Sequence, residues 1–310
     1  MQSINETTPD WAHRPERSNM VMLRVMTWIS LRLGRRAGRV ILHGIALYFL
    51  LFAPASRRAS QDYLARVLSR PPQWIDVYRH FFSFASTIHD RVYLLNQRFD
   101  LFDITVHGEE TMLNAMVEGR GVFLIGAHMG SFEVIRALGR SHTRLKVAMA
   151  MYEDNARKIN QMLSAVNPNA RQDVINLGHV DSMLKVNQYL DAGTFVGMLA
   201  DRTINGDATL PMALLGAHAN IPTGPFRMAA ILRRPVVFMT GLYVGDNRYE
   251  IHFEPLADFS TTQKHSRQAD IRQAMTRYTE LLEKHCRRLP YNWFNFFNFW
   301  APATTGGGKD

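Results

Sequence analysis

The rhythm of apolar and polar positions changes near residue 100 of this 310-residue chain. From about Met20 to Arg98 apolar residues recur every three or four positions, as on amphipathic helices, with breaks at Pro54 and at Pro71-Pro72. Beyond that point short apolar runs alternate with helical patterning. Strands are predicted at 102–107, 122–126, 146–151, 174–177, 195–200, 236–244 and 249–253. Helices are predicted near 110–118, 132–139, 156–166, 182–191, 224–232 and 266–288. This alternation predicts an α/β fold with a mostly parallel central sheet covered by helices. The expected division is a flexible polar arm (1–19), an N-terminal amphipathic helical, membrane-associating region (20–100), an α/β core (101–300) and a disordered tail (301–310).

One predicted strand runs into chemistry. The segment Val122-Phe-Leu-Ile-Gly-Ala-His-Met-Gly-Ser-Phe-Glu133 ends a strand in a glycine-bearing turn with His128, then opens a helix with Glu133. Histidine can take a proton near neutral pH, and a carboxylate can fix its tautomer. On one continuous helix the two side chains would diverge by about 140°. They meet only if His128 lies on the turn and Glu133 in the first helical turn. The plainer reading makes Ser131 an N-cap and Glu133 a complement to the helix dipole.

Two more polar elements follow predicted strands on the same sheet edge, Tyr152-Glu153 and Asp201-Arg202, and ligands of such sheets gather there. Arg202 could hold a phosphate or carboxylate with Asp201 orienting it, or the two could form a local ion pair. Asn220-Ile-Pro-Thr-Gly-Pro-Phe-Arg227 opens a helix at Thr223-Gly224, which suits either an anion site or an ordinary helix start.

Composition narrows the partners. With 46% hydrophobic and 20% charged residues the chain is not a mainly disordered protein. Its single cysteine, Cys286, excludes an internal disulfide framework, and a structural thiol is the expected role. A net charge of +9 calls for an acidic partner, but no zinc-ligand spacing, phosphate loop or nucleic-acid signature accompanies it, so nucleic acid is not expected. Much of the charge is concentrated: Met20 to Ser60 holds seven arginines and no acidic residue. On an unbroken helix Arg24, Arg32, Arg35, Arg36 and Arg39 share an arc of about 120°, which predicts an interfacial anchor on an anionic membrane surface. A helix packed on the protein's own core with arginines in water is the other reading. The apolar run 40–53 is shorter than the roughly 20 residues of a spanning helix. A polar start containing Pro9 and Pro15 is not expected to be a signal peptide.

The order of His128-x4-Glu133, Leu199-Ala-Asp-Arg202, Ile221-Pro-Thr-Gly-Pro225 and Asn292-Trp293-Phe294 resembles the bacterial late acyltransferases of lipid A biosynthesis and their lysophospholipid-acyltransferase-like relatives. The resemblance covers most of residues 20–300. It implies an enzyme at the cytoplasmic face of the bacterial inner membrane, peripheral or monotopic, moving a fatty acyl group from a thioester to a hydroxyl or amine of a lipid or glycolipid. Acyl carrier protein or coenzyme A would carry the acyl group, with no other cofactor and no metal. His128 would be the general base and Glu133 its orienting group. Asp201, Arg202, Thr223 and Gly224 would help bind substrate, and backbone N–H groups near Gly130 and Ser131, or a nearby arginine, would hold the oxyanion. The arginine-laden first helix departs from the family's usual spanning helix, which leaves the acceptor open between lipid A and another lipid, such as an amino-acid or aryl-polyene-type lipid. A non-catalytic membrane- or carrier-binding protein and a thioester or lipid hydrolase are the alternatives.

Overall fold

A computed structural model describes residues 20–300 apart from 118, 120, 136–145, 153–156, 158–165, 168–173, 180 and 204–206. The polar arm, the C-terminal tail, Glu153 and most of the predicted helix at 156–166 lie outside the described residues.

Three helices come first: α1 (Met20–Phe52), α2 (Pro54–Leu68) and α3 (Trp74–Leu95). Pro54 sits at the first position of α2, where its missing N–H is harmless, and α2 leaves the 30–52 part of α1 at 95°. Gln73 and Asp76 form a capping box at the start of α3. There follow β1 (Asp103–His107), α4 (Glu109–Val117), β2 (Phe123–Gly126), β3 (Val147–Tyr152), β4 (Val174–Leu177), α5 (Ser182–Asp191) and β5 (Phe195–Leu199). A hairpin of β6 (Thr209–Leu214) and β7 (Ala217–Pro222) precedes α6 (Gly224–Ile231), β8 (Pro235–Gly245), β9 (Arg248–Asp258) and α7 (Arg267–Arg288).

The main sheet has the order β1-β9-β8-β2-β5-β3-β4 and is parallel at every pairing except β8 with β9. Its two faces are both buried. Phe123 and Ile125 enter the larger core with residues of α1, α2, α3, α6 and α7, while Val122 and Leu124 enter a second core with Leu94, Met112 and Val134. The predicted α/β architecture with a mostly parallel central sheet is therefore the architecture of the protein.

The β6–β7 hairpin was not predicted. Pro211 and Pro222 disguise the two strands, and the turn Leu215-Gly216 reaches positive φ at both residues without the usual Asn-Gly signal. Asn220 to Pro222 thus belong to β7, and only Gly224 onward is helix.

The arginine stripe also needs correction. Gly34 takes φ +81° and ψ 170°, so α1 is kinked and the assumed constant 100° per residue fails there. Arg35 turns inward to Asp90, with Nε and Nη2 at 2.7 and 2.8 Å from its two carboxylate oxygens. Arg39 donates to the Tyr243 hydroxyl (3.0 Å) and the Asp246 carbonyl (2.7 Å). These two arginines tie α1 to the core. Arg32 and Arg36 remain exposed, and the side chain of Arg24 lies outside the described ones.

Candidate active site

Parallel pairing puts Gly126 of β2 opposite Leu199 of β5. Two residues further on, at equal offsets, come His128 and Asp201. The strand register therefore delivers the two side chains to the same point beyond the sheet edge, where His128 Nδ1 lies 2.7 Å from Asp201 Oδ1. The His128 backbone N–H donates to Asp201 Oδ2 at 2.9 Å, which fixes the carboxylate in a second direction. The group on His128 Nδ1 is thus Asp201, whereas the sequence assigned the orienting role to Glu133. Glu133 is buried at the head of the following helical residues, with Oε1 3.8 Å from Arg91 Nε.

The turn between them is tightly held. Gly130 has φ +62°, and a Cβ there would sit 2.0 Å from the Gly241 carbonyl oxygen, so no other residue fits. The Gly130 N–H donates to Asn292 O at 2.8 Å and the Ser131 N–H to Gly241 O at 2.7 Å. The N–H groups of Gly130 and Ser131 themselves are therefore already committed to the backbone. Ser131 Oγ is buried with no hydrogen-bond partner among the described residues, so it does not cap the helix.

What sequence reasoning missed is the part played in the site by the C-terminal run 290–300, which holds seven aromatics in eleven residues and includes Asn292, Trp293 and Phe294. Residues 292–295 lie along the His128 turn: Met129 bridges Trp293, and the Phe294 N–H donates to His128 O at 2.8 Å. Trp293 Nε1 (2.9 Å) and Asn295 Nδ2 (2.8 Å) both donate to Asp201 Oδ2. Asn295 Oδ1 in turn accepts from Arg202 Nε at 2.8 Å, and Arg202 Nη2 reaches Phe294 O at 3.1 Å. The Asn292 side chain pairs with the Tyr243 backbone at 2.8 and 3.0 Å, pinning the segment to β8. Behind it, burial pushes the His80 imidazole down to about 4. His80 thus stays neutral, meeting Ser60 Oγ at Nδ1 (2.8 Å) and the Trp293 carbonyl at Nε2 (2.9 Å).

The electrostatics follow. Burial alone would raise the Asp201 carboxyl, but His128, Arg202 and the converging N–H groups outweigh it and hold it well below the usual carboxylate range. Asp201 is therefore an anion and accepts only, so His128 carries its proton on Nδ1 and presents a lone pair on Nε2. Burial pushes the His128 imidazole below its ordinary 6.5 and the Arg202 charge pushes the same way, with Asp201 opposing both. The His128 side chain is 31% exposed, so Nε2 chemistry is open to a substrate while Asp201 is sealed.

The family of bacterial lipid A biosynthesis acyltransferases matches residues 10–301. The chain belongs to that family. No individual curated protein gives a significant match. Membership makes the protein an acyltransferase of lipid biosynthesis.

Other residues assigned from this acyltransferase's sequence fall as follows. Thr223 donates through N and Oγ1 to Ala208 O at 2.9 and 3.1 Å, which joins α6 to the hairpin, and Gly224 begins α6. Tyr152 bonds Asp207 at 3.0 Å beyond the carboxyl end of β3. Burial pushes the Cys286 thiol up, away from the thiolate a nucleophile needs, as a structural role requires.

Proposed function

We propose that this acyltransferase moves a fatty acyl group from an acyl thioester to a hydroxyl or amine of a lipid or glycolipid, with His128 as general base and Asp201 as the group that holds it. The observation that carries this reading is the 2.7 Å contact of Asp201 with Nδ1, which directs the Nε2 lone pair outward. Nε2 takes the proton of the acceptor as its oxygen or nitrogen attacks the thioester carbonyl. The tetrahedral oxyanion collapses, the C–S bond breaks, and the departing sulfur receives the proton from the imidazolium. Arg202, whose charge is felt at His128, favours the oxyanion electrostatically. Neither a covalent acyl-enzyme nor a metal enters these steps.

A net charge of +9, with Arg58 and Arg79 exposed, suits an anionic donor, either an acidic acyl carrier protein or the phosphates of coenzyme A. The test of function is transfer of labelled acyl groups from each thioester into bacterial membrane lipids. A labelled lipid is expected, and free fatty acid without acceptor would assign a hydrolase instead.

The same proposal puts the enzyme on the cytoplasmic face of the bacterial inner membrane, lying on it. No helix among the described residues is long and apolar enough to cross a membrane, although α1 and α2 together, bent by 95°, meet the length and composition. Support comes from the apolar end of α1, where Leu47, Tyr48, Leu51 and Phe52 are exposed beside Trp74 and Ile75. Arg57 stacks over Trp74 at 5.3 Å, an aromatic–cation pairing suited to headgroup depth. Replacing Leu47, Leu51 and Phe52 together by aspartate is expected to weaken flotation with anionic vesicles at least about 100-fold, since each buried side chain contributes about 1.5–3 kcal/mol. Flotation equal to wild type would place the membrane contact elsewhere.

A further inference from the structure

At the far edge of the sheet, outside the transfer chemistry, β1 and β9 bring a second polar cluster together. Parallel register sets His107 beside His252, and Glu250 lies two residues before His252 on the same face of β9. The imidazoles of His107 and His252 stack with centroids 4.5 Å apart and planes 12° apart. Glu250 Oε2 is 3.2 Å from His252 Nε2 and 3.8 Å from His107 Nε2. One donor atom from each of the three residues falls within 4.8 Å of the others.

The protonation of this cluster is decided by Arg288. Its guanidinium only donates, and Nη1 lies 2.7 Å from His252 Nε2 while Nη2 bonds Glu250 Oε2. His252 Nε2 is therefore a lone-pair acceptor. It nonetheless faces another acceptor, Glu250 Oε2, at 3.2 Å. Two acceptors at that separation are held by the cation they share. The cluster is thus already organised around positive charge, with a side chain supplying it. That side chain sits at the C-terminal end of α7 and is 41% exposed, so it has room to leave.

We propose that His107, Glu250 and His252 form a zinc site that Arg288 closes, metal and guanidinium competing for the same two acceptors. Two imidazole nitrogens and one carboxylate oxygen are a donor set that Zn²⁺ takes readily, with water as the fourth ligand. Zn–N bonds of about 2.0–2.1 Å in a tetrahedron require donors roughly 3.4 Å apart, so the His252–Glu250 pair at 3.2 Å is nearly in place while His107 Nε2 must draw in and its ring unstack. His107, whose side chain is 47% exposed on the edge strand, supplies both the freedom and the way in. The inference does not rest on the assignment of His128.

The experiment is calorimetric titration of the untagged full chain with Zn²⁺ alone, repeated with Co²⁺ to read its visible absorption. Arg288→Ala is expected to bind one Zn²⁺ at least about 10-fold more tightly than wild type, and His107→Ala at least about 10-fold more weakly. Co²⁺ bound by Arg288→Ala should show the intense band of a four-coordinate site. An arginine that merely glues α7 to the sheet would give no gain of affinity on its removal. Affinity unchanged in Arg288→Ala, or undiminished in His107→Ala, overturns the proposal. Should Arg288→Ala fail to fold, Arg288→Gln, which keeps the length and loses the charge, takes its place with the same expected gain and the same overturning result.

Discussion

His128→Ala is expected to lower the rate of acyl transfer at least about 100-fold, the lower end of what general-base catalysis contributes. That loss corresponds to about 2.7 kcal/mol of transition-state stabilisation. The fold should survive the change. The backbone N–H of residue 128 keeps its bond to Asp201 Oδ2, and Trp293 and Asn295 still donate to the same oxygen, so the buried carboxylate is not orphaned. Initial rates with a labelled acyl thioester, beside far-UV circular dichroism, separate lost chemistry from lost structure. Turnover close to wild type in the folded variant would remove His128 as the base.

How much of this was legible in the sequence differs by element. The central strands β2 and β5 announced themselves because buried parallel strands are short, almost uniformly apolar runs, whereas β9 runs five residues past its predicted end into an alternating, half-exposed stretch. The β6–β7 hairpin was hidden because its prolines and its Leu-Gly turn carry none of the ordinary strand and turn signals. The histidine at the end of β2 was visible for the same reason as the strand itself. Its partner was not, because Asp201 is 73 residues away and reaches His128 only through the β2–β5 register, which a periodicity does not encode. Proximity along the chain favoured Glu133, and the structure put strand pairing ahead of it. The Asn292–Asn295 segment was readable as aromatic, but nothing local says that an indole N–H and an amide will converge on one carboxylate. For the arginine stripe, one glycine at positive φ was enough to break the phase of the whole argument.

Asp201→Asn should be at least as damaging as loss of the histidine, although it removes no atom that touches substrate. Three donors converge on the Oδ2 position, namely the backbone N–H of residue 128, Trp293 Nε1 and Asn295 Nδ2, so the carbonyl oxygen of the new amide is held there. Its NH₂ must then occupy the Oδ1 position and point at His128 Nδ1. A donor facing Nδ1 forces that nitrogen to accept, which moves the imidazole proton to Nε2 and leaves no lone pair for the acceptor substrate. Inverting the tautomer of a catalytic histidine in this way costs about 10⁴-fold in turnover. The pH profile carries a second signature. In the wild type, burial and Arg202 set the acid limb of kcat/KM below pH 6.5, since activity requires the neutral imidazole. Asp201 is what raises that limb, so any residual activity of Asp201→Asn should show it at still lower pH. Glu133→Gln, by contrast, leaves Asp201 on Nδ1 and should leave the limb in place, its effect appearing as a lower melting temperature because Arg91 loses a buried counter-charge. A limb that moves with Glu133→Gln and stays put with Asp201→Asn would return the orienting role to Glu133.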